Sequence, residues 1–115
     1  MSAETPEILH FPTKSQKPIV FDRRELGLIM GLYGRFVASG DWRDYALSFG
    51  KETARFDIHR HTSEQPLYSV IKNPSLRDKG GLFQVIAPGG LILRRGNELE
   101  QVLKVLEKKP KFAAV

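Results

Sequence analysis

Between residues 42 and 95 the chain repeats one pattern, in which short stretches of alternating apolar and polar residues are separated by turn-forming residues. In YALSF, residues Tyr45, Leu47 and Phe49 alternate with Ala46 and Ser48. Alternation with a period of two is typical of a strand with one buried face. The series continues with ETARFDIHRH, PLYSVIKN, LFQVIA and LILRR, joined by the turn segments GK, NPSLRDKGG and PGG. The pattern predicts a meander of four or five antiparallel strands.

A helix is predicted before the strands, over about residues 23 to 39. Asp22 is a good N-cap, and Glu25 follows at the spacing of a capping box. Gly40 suits the position just after a helix end, where a left-handed residue is common. Apolar residues recur at helical spacing at Leu26, Ile29, Met30, Tyr33 and Val37.

A second helix is predicted after the strands. Asn97 is its expected cap, Glu100 completes a second capping box, and Pro110 ends it. Its apolar stripe consists of Leu99, Val102, Leu103 and Leu106. The predicted fold is therefore an α+β two-layer sandwich, with both helices on one face of the sheet. We expect a flexible arm over residues 1–18, a single domain over 19–109 and a tail over 110–115.

The first helix contains the glycines Gly27, Gly31 and Gly34, although glycine costs a helix about 1 kcal/mol relative to alanine. At this spacing they share a face, which allows another backbone to approach closely. We expect close internal packing there; the alternative is a helix-to-helix contact between two copies through Gly27 and Gly31. The segment is not a membrane span, because nine uncharged residues separate Glu25 from Arg35 and a span needs about twenty.

Charge and composition narrow the classes of partner. The 115 residues carry a formal net charge of +5, which favours anionic partners such as nucleic acid or an acidic protein. The chain has no cysteine, in keeping with a reducing cytoplasm, and its first residues lack the pattern of a secretory signal. We expect a cytoplasmic protein that does not insert into a membrane.

The segment RFDIHRH carries the densest set of chemically active side chains. Arg55, Asp57, His59 and His61 alternate along a strand and so point to the same face. They form a polar, exposed strand face, or they contact an anion or nucleic acid. Two histidines fall short of the three or four ligands of a metal site, so neither a metal nor a cofactor is predicted. A small enzyme with His59 or His61 as general base is a further alternative.

Arg94 and Arg95 end the last strand, just before the cap of the second helix. Free amides at a helix start attract anions, and two arginines beside them strengthen that attraction. Glu98 and Glu100 already occupy the first turn, however, so ordinary capping is the competing interpretation. No phosphate loop, nucleophile elbow or zinc-protease motif is present in the sequence, and no catalytic residue is predicted.

Two aromatic residues have roles that depend on their exposure. Trp42 is expected to cover the end of the first helix. If its side chain were exposed, it would instead be a binding hot spot at an interface. Tyr68 is the strand aromatic available for base stacking on the polar sheet face.

The strings FDRRELGLIMGLYGRFVASGDWRDYALSFG, FDIHRH, PLYSVIKNP and GGLILRRGNELEQVLKVLEKK resemble a short alphaproteobacterial family of domains of unknown function. The resemblance covers about residues 19 to 109. It implies a small bacterial, cytosolic protein without an established activity. It assigns no catalytic residue.

The leading hypothesis is a non-enzymatic binding or regulatory module, with nucleic acid as the partner class that fits the charge. Its working surface is the polar sheet face, with contacts from Arg55, His59, His61 and Arg94. The alternative is a protein-interaction or homodimerisation module that uses an uncovered sheet edge or the glycines of the first helix.

Overall fold

The computed structural model describes residues 17–60 and 65–107. The predictions for an arm at 1–18 and a tail at 110–115 fall mostly outside these ranges, as does His61. Helix α1 spans Arg23–Ala38 and helix α2 spans Leu99–Glu107. The strands are β1 (Asp44–Phe49), β2 (Ala54–His59), β3 (Tyr68–Lys72), β4 (Phe83–Ala87) and β5 (Leu91–Gly96). Two 3₁₀ segments, Pro74–Lys79 and Pro88–Gly90, precede and follow β4.

The sheet confirms the predicted meander. Its strand order is β1-β2-β3-β4-β5, and each strand is antiparallel to the next one along the chain. Phe56 pairs with Val70, and Val70 pairs with Val85, so these residues share one face. Side chains from both helices and from this face form a single buried cluster. The fold is the expected α+β arrangement, with helices over one layer of sheet.

Helix α1 begins with the predicted capping box. The Asp22 carboxylate accepts the Glu25 backbone N–H at 2.8 Å, and the Glu25 carboxylate accepts the Asp22 backbone N–H at 2.8 Å. These two bonds satisfy donors that a helix start otherwise leaves unpaired. After Ser39, Gly40 takes a left-handed backbone with φ of 87°, as predicted.

The three glycines of α1 do not pack inside the domain, so that prediction was wrong. Helix α1 buries Ile29 and Tyr33, and helical spacing turns Gly27, Gly31 and Gly34 to the opposite, exposed side. A Cβ added at any of the three would meet no atom within 4 Å among the described residues. A contact of this glycine face with a second copy stays a prediction.

Trp42 covers the end of α1, as expected. Its side chain is 4% exposed, and its ring stacks on that of Phe36 with centroids 4.4 Å apart. The ring of Tyr33 is tilted against it, with centroids 6.0 Å apart. The indole is therefore buried, and Trp42 is not the exposed interface residue that was the alternative interpretation.

Helix α2 buries its predicted apolar stripe, but Asn97 does not cap it. The Asn97 amide oxygen accepts the Leu82 backbone N–H at 3.1 Å, and its nitrogen donates to the Arg77 carbonyl at 3.0 Å. The side chain thereby ties the start of α2 to the segment before β4. The same amide can either cap α2 or bond to a distant segment, and here it bonds to Leu82 and Arg77.

A nearly buried ion pair joins α1 to the sheet. The Lys72 ammonium lies 2.7 Å from a Glu25 carboxylate oxygen, and the two side chains are 13% and 12% exposed. Lys72 also donates to the Val20 carbonyl at 2.9 Å. Glu25 thus serves both the helix cap and the contact with β3.

Within residues 17–60 and 65–107, neither helix has the length and apolar character needed to cross a bilayer.

Candidate binding surface on the open sheet face

Both helices pack on one face of the sheet and leave the other face without a helix in the described part of the chain. We call this second surface the open face. The register assigns its members by alternation from strand to strand. They are Asp44, Ala46, Ser48, Arg55, Asp57, His59, Ser69, Ile71, Gln84, Ile86, Ile92 and Arg95.

Three of these side chains form a hydrogen-bonded group, which we call the Arg55 cluster: Arg55, Asp57 and Ser69. Asp57 and Ser69 are direct partners across β2 and β3, and the Ser69 hydroxyl donates to the Asp57 carboxylate at 2.5 Å. Arg55 Nη2 donates to the same carboxylate oxygen and to the Ser69 hydroxyl oxygen, each at 3.2 Å. The pairing across the strands therefore fixes where the guanidinium lies.

The Arg55 cluster is partly shielded from water, and its cation keeps unused donors. Ser69 is buried, Asp57 is largely buried, and the Arg55 side chain is about two-fifths exposed. Within residues 17–60 and 65–107, the hydrogen bonds of the guanidinium are all made by Nη2. Among those residues Nε and Nη1 have no hydrogen-bond partner, so they can donate to a ligand.

A cavity of about 260 Å³ adjoins the Arg55 cluster. Arg55 and Ser69 form its polar wall, and Ile86 and Ala87 of β4 form part of its apolar wall. Gln65, Pro66 and the turn Pro88–Gly90 also line it. A charged donor thus lies beside an apolar hollow, the usual composition of a small-ligand site.

His59 lies on the open face beside Asp57, as the alternation predicts. Its Nδ1 atom is buried and has no hydrogen-bond partner among the described residues. Its predicted companion, His61, falls outside those residues, so the histidine pair remains a prediction. In residues 17–60 and 65–107, no group of three or more His, Asp or Glu side chains is arranged to hold a metal ion.

The two arginines of β5 lie on different sides of the sheet. Arg95 pairs with Gln84 and belongs to the open face, whereas Arg94 pairs with Val85 on the helix-covered side. The register shifts between Val85 and Ile86, which is a β-bulge, and the extra residue reverses the alternation. Arg94 was predicted to share the working surface with Arg55, but Arg95 is the arginine that lies on that face.

Tyr68 does not belong to the open face, so the proposed stacking residue was misplaced. It pairs with Ile58 on the helix-covered side, is buried, and lies edge-on to Trp42 with ring centroids 6.5 Å apart. Burial raises the pKa of its phenol, and nearby Arg60 opposes that rise. None of the open-face residues defined above is Phe, Tyr or Trp.

The edge strand β1 carries a second distinctive surface. Tyr45, Leu47 and Phe49 lie on the helix-covered side, yet they are 40%, 37% and 45% exposed because neither helix extends over the whole strand. The outer edge of β1 has no strand partner in the described part of the chain. Unpaired edges with apolar side chains readily accept another strand.

Sequence reasoning missed Ser69 and the cavity. One signal for Ser69 was present: in YSV it is the polar residue between Tyr68 and Val70, so alternation assigns it to the side opposite both. The cavity left no comparable signal, because its walls come from three separate stretches of chain.

The fold and this surface define a small α+β protein with one face of its sheet covered by helices and the other face open. The chain belongs to the family described as "Protein of unknown function (DUF2794)", whose model matches residues 19–103. This confirms the resemblance to a family of domains of unknown function. No curated protein and no solved structure matches the chain.

Proposed function

We propose that the protein is a non-catalytic binding module whose open face receives an anionic group of a partner. The observation that carries the proposal is the Arg55 cluster. Asp57 and Ser69 hold the guanidinium in place before any partner arrives, so less side-chain entropy is lost on binding. Arg55 also lines a cavity, and guanidinium donors are suited to an anionic oxygen.

The charge of the chain supports an anionic partner. The formal net charge is +5, and Arg95 adds a second exposed cation to the open face. Nucleic acid and acidic proteins are the two partner classes that this charge favours. Since the described residues of the open face include no Phe, Tyr or Trp, contact with nucleic acid would rest mainly on its phosphates. A cytoplasmic location is part of the same proposal and is supported by the absence of cysteine.

Light scattering tests this proposal. The protein is mixed with a pool of RNA and DNA, or with polyglutamate, at about 50 mM and 500 mM salt, because charge-driven association weakens steeply with salt. The test variant combines Arg55→Gln with Arg95→Gln. The matched control combines Arg23→Gln with Arg24→Gln, which removes the same charge from exposed positions on α1.

We expect the wild type and the control to gain mass with one of the two polyanions at low salt, and the test variant to gain none. Equal binding by the test variant would show that the polyanion does not bind through the arginines of the open face. Absence of association with either polyanion at low salt would refute the proposal itself.

Self-association through β1 is a second candidate, favoured by its half-exposed apolar side chains. Antiparallel pairing of two copies about Leu47 places Leu47 opposite its counterpart and Tyr45 opposite Phe49 of the second copy. Such aromatic cross-strand pairs each contribute about 0.2 to 1 kcal/mol. Leu47→Lys should convert a dimer to a monomer in light scattering. The control Leu91→Lys, on the exposed opposite edge of the sheet, should leave the mass unchanged.

A further inference from the structure

We infer that the cavity beside the Arg55 cluster binds a carboxylate that carries a short apolar group. This inference rests on the proposed function, because it names the chemistry of the group that the open face receives. It follows from three properties of the cavity: the charge of its walls, their apolar part and its volume.

The charge of the walls favours a monoanion. Arg55 is the one cation among the described residues that line the cavity, and Asp57 beside it already offsets part of its charge. A free phosphate or a phosphomonoester carries about −1.5 to −2 at pH 7 and would need further cations. A carboxylate carries a single negative charge, and the donors on Nε and Nη1 are sufficient to bind its oxygens.

The apolar walls and the volume limit what is attached to the carboxylate. Pro66, Ile86, Ala87 and Pro88 supply apolar lining to the cavity. Buried polar groups there would lose hydrogen bonds to water without gaining protein partners. At about 260 Å³ the cavity is below the range of roughly 300 to 1,000 Å³ that is typical of drug-sized ligands. The attached group is therefore a branched or linear hydrocarbon of a few carbons.

Two sources present this chemistry: a free short-chain carboxylic acid, and the C-terminal carboxylate of a polypeptide that ends in an apolar residue. Both place an anionic group within a few bonds of a hydrocarbon side chain. The turn Pro88–Gly90 lines the cavity, and Gly89 and Gly90 have no side chain to block a longer chain there. The experiment below distinguishes the two sources.

The test is an NMR titration of the backbone amides of the full chain at constant ionic strength. The probes are sodium isovalerate, the uncharged isovaleramide, and a pentapeptide ending in valine as the free acid or as the amide. We expect isovalerate to shift the amides of Ser69, Ile86 and Gly89. We expect isovaleramide to bind at least about tenfold more weakly, since a hydrogen bond to a charged group is lost.

Variants link the binding to the guanidinium. Arg55→Gln should abolish the shifts and Arg55→Lys should weaken them, because an ammonium retains the charge without the planar donor set. The matched control Arg95→Gln removes a cation from the same face outside the cavity and should bind as the wild type does. The comparison of acid with amide uses the wild type alone, so it remains decisive even where a variant folds poorly.

The inference is overturned if the acid and the amide bind equally, or if the shifts fall outside the cavity. Tighter binding of the free-acid peptide than of isovalerate assigns the site to a polypeptide terminus, and weaker binding assigns it to a free acid. If polyanions associate through Arg55 and Arg95 while isovalerate does not bind, the carboxylate inference fails and the proposed function stands. If isovalerate binds while no polyanion associates, the carboxylate inference stands and the proposed association with nucleic acid or an acidic protein fails.

Discussion

Replacing the three glycines of α1 by alanine should stabilise the protein. Gly27, Gly31 and Gly34 have helical backbones, and an added Cβ meets no atom within 4 Å among the described residues. Each substitution then recovers the difference in helix propensity, about 1 kcal/mol, so the triple variant should gain about 3 kcal/mol. For a domain of this size that gain raises Tm by roughly 10 to 20 °C.

Urea unfolding followed by the fluorescence of the buried Trp42 measures the effect. The midpoint should rise by roughly 1 to 3 M with an unchanged slope, because the surface exposed on unfolding stays the same. Gly40→Ala is the matched control. Its φ of +87° disfavours any residue with a Cβ, so the same chemical change should destabilise by about 1 to 2 kcal/mol.

A lower midpoint for the triple variant would refute the reasoning, because it would mean that the glycines contact other atoms in the folded chain. Light scattering of the same variant tests the contact between two copies. Three added methyl groups would separate helices that approach closely through this face. A dimeric wild type and a monomeric, more stable triple variant would assign the glycines to association instead of folding.

Three further changes test the interior. Lys72→Met leaves Glu25 charged and nearly buried and should cost about 3 kcal/mol in urea unfolding, and the added change Glu25→Gln should recover part of that loss. Trp42→Ala, read by circular dichroism, should cost about 3 to 5 kcal/mol, whereas an exposed interface residue would cost little. Burial raises the pKa of Tyr68 above its ordinary value of 10.0, so the unfolded chain loses this proton first and the free energy of unfolding falls as pH rises above 10. In Tyr68→Phe, unfolding curves between pH 8 and 11 should show a shallower fall.

The sequence predicted the order of elements and most of the alternation within strands, because both follow from local rules. Period-two patterns set which residues of β2 face the core, and the capping box of Asp22 and Glu25 set the start of α1. These signals depend only on neighbours a few residues apart. The residues that these patterns assign to the core are buried in the structure.

The sequence failed where distant residues compete for one group or where an insertion reverses a pattern. Asn97 had the spacing of a cap, but Leu82 and Arg77 use its amide instead. The bulge opposite Val85 exchanged the sides of Arg94 and Arg95, and no residue type near it marks its position. Their spacing shows that the three glycines of α1 share one face of the helix. It does not show whether that face points to the core or to solvent, and they were wrongly assigned to internal packing.

The sequential order of the strands also has a kinetic consequence. Each strand pairs with its immediate neighbour along the chain, so every step in building the sheet closes only a short loop. The entropic cost of such closures is small, and a topology with low contact order folds fast for its class. The docking of α1 joins segments far apart in sequence. It uses the ion pair between Glu25 and Lys72 and the contact of α1 with α2. The meander can therefore form before α1 docks, and substitutions at that late contact should mainly accelerate unfolding.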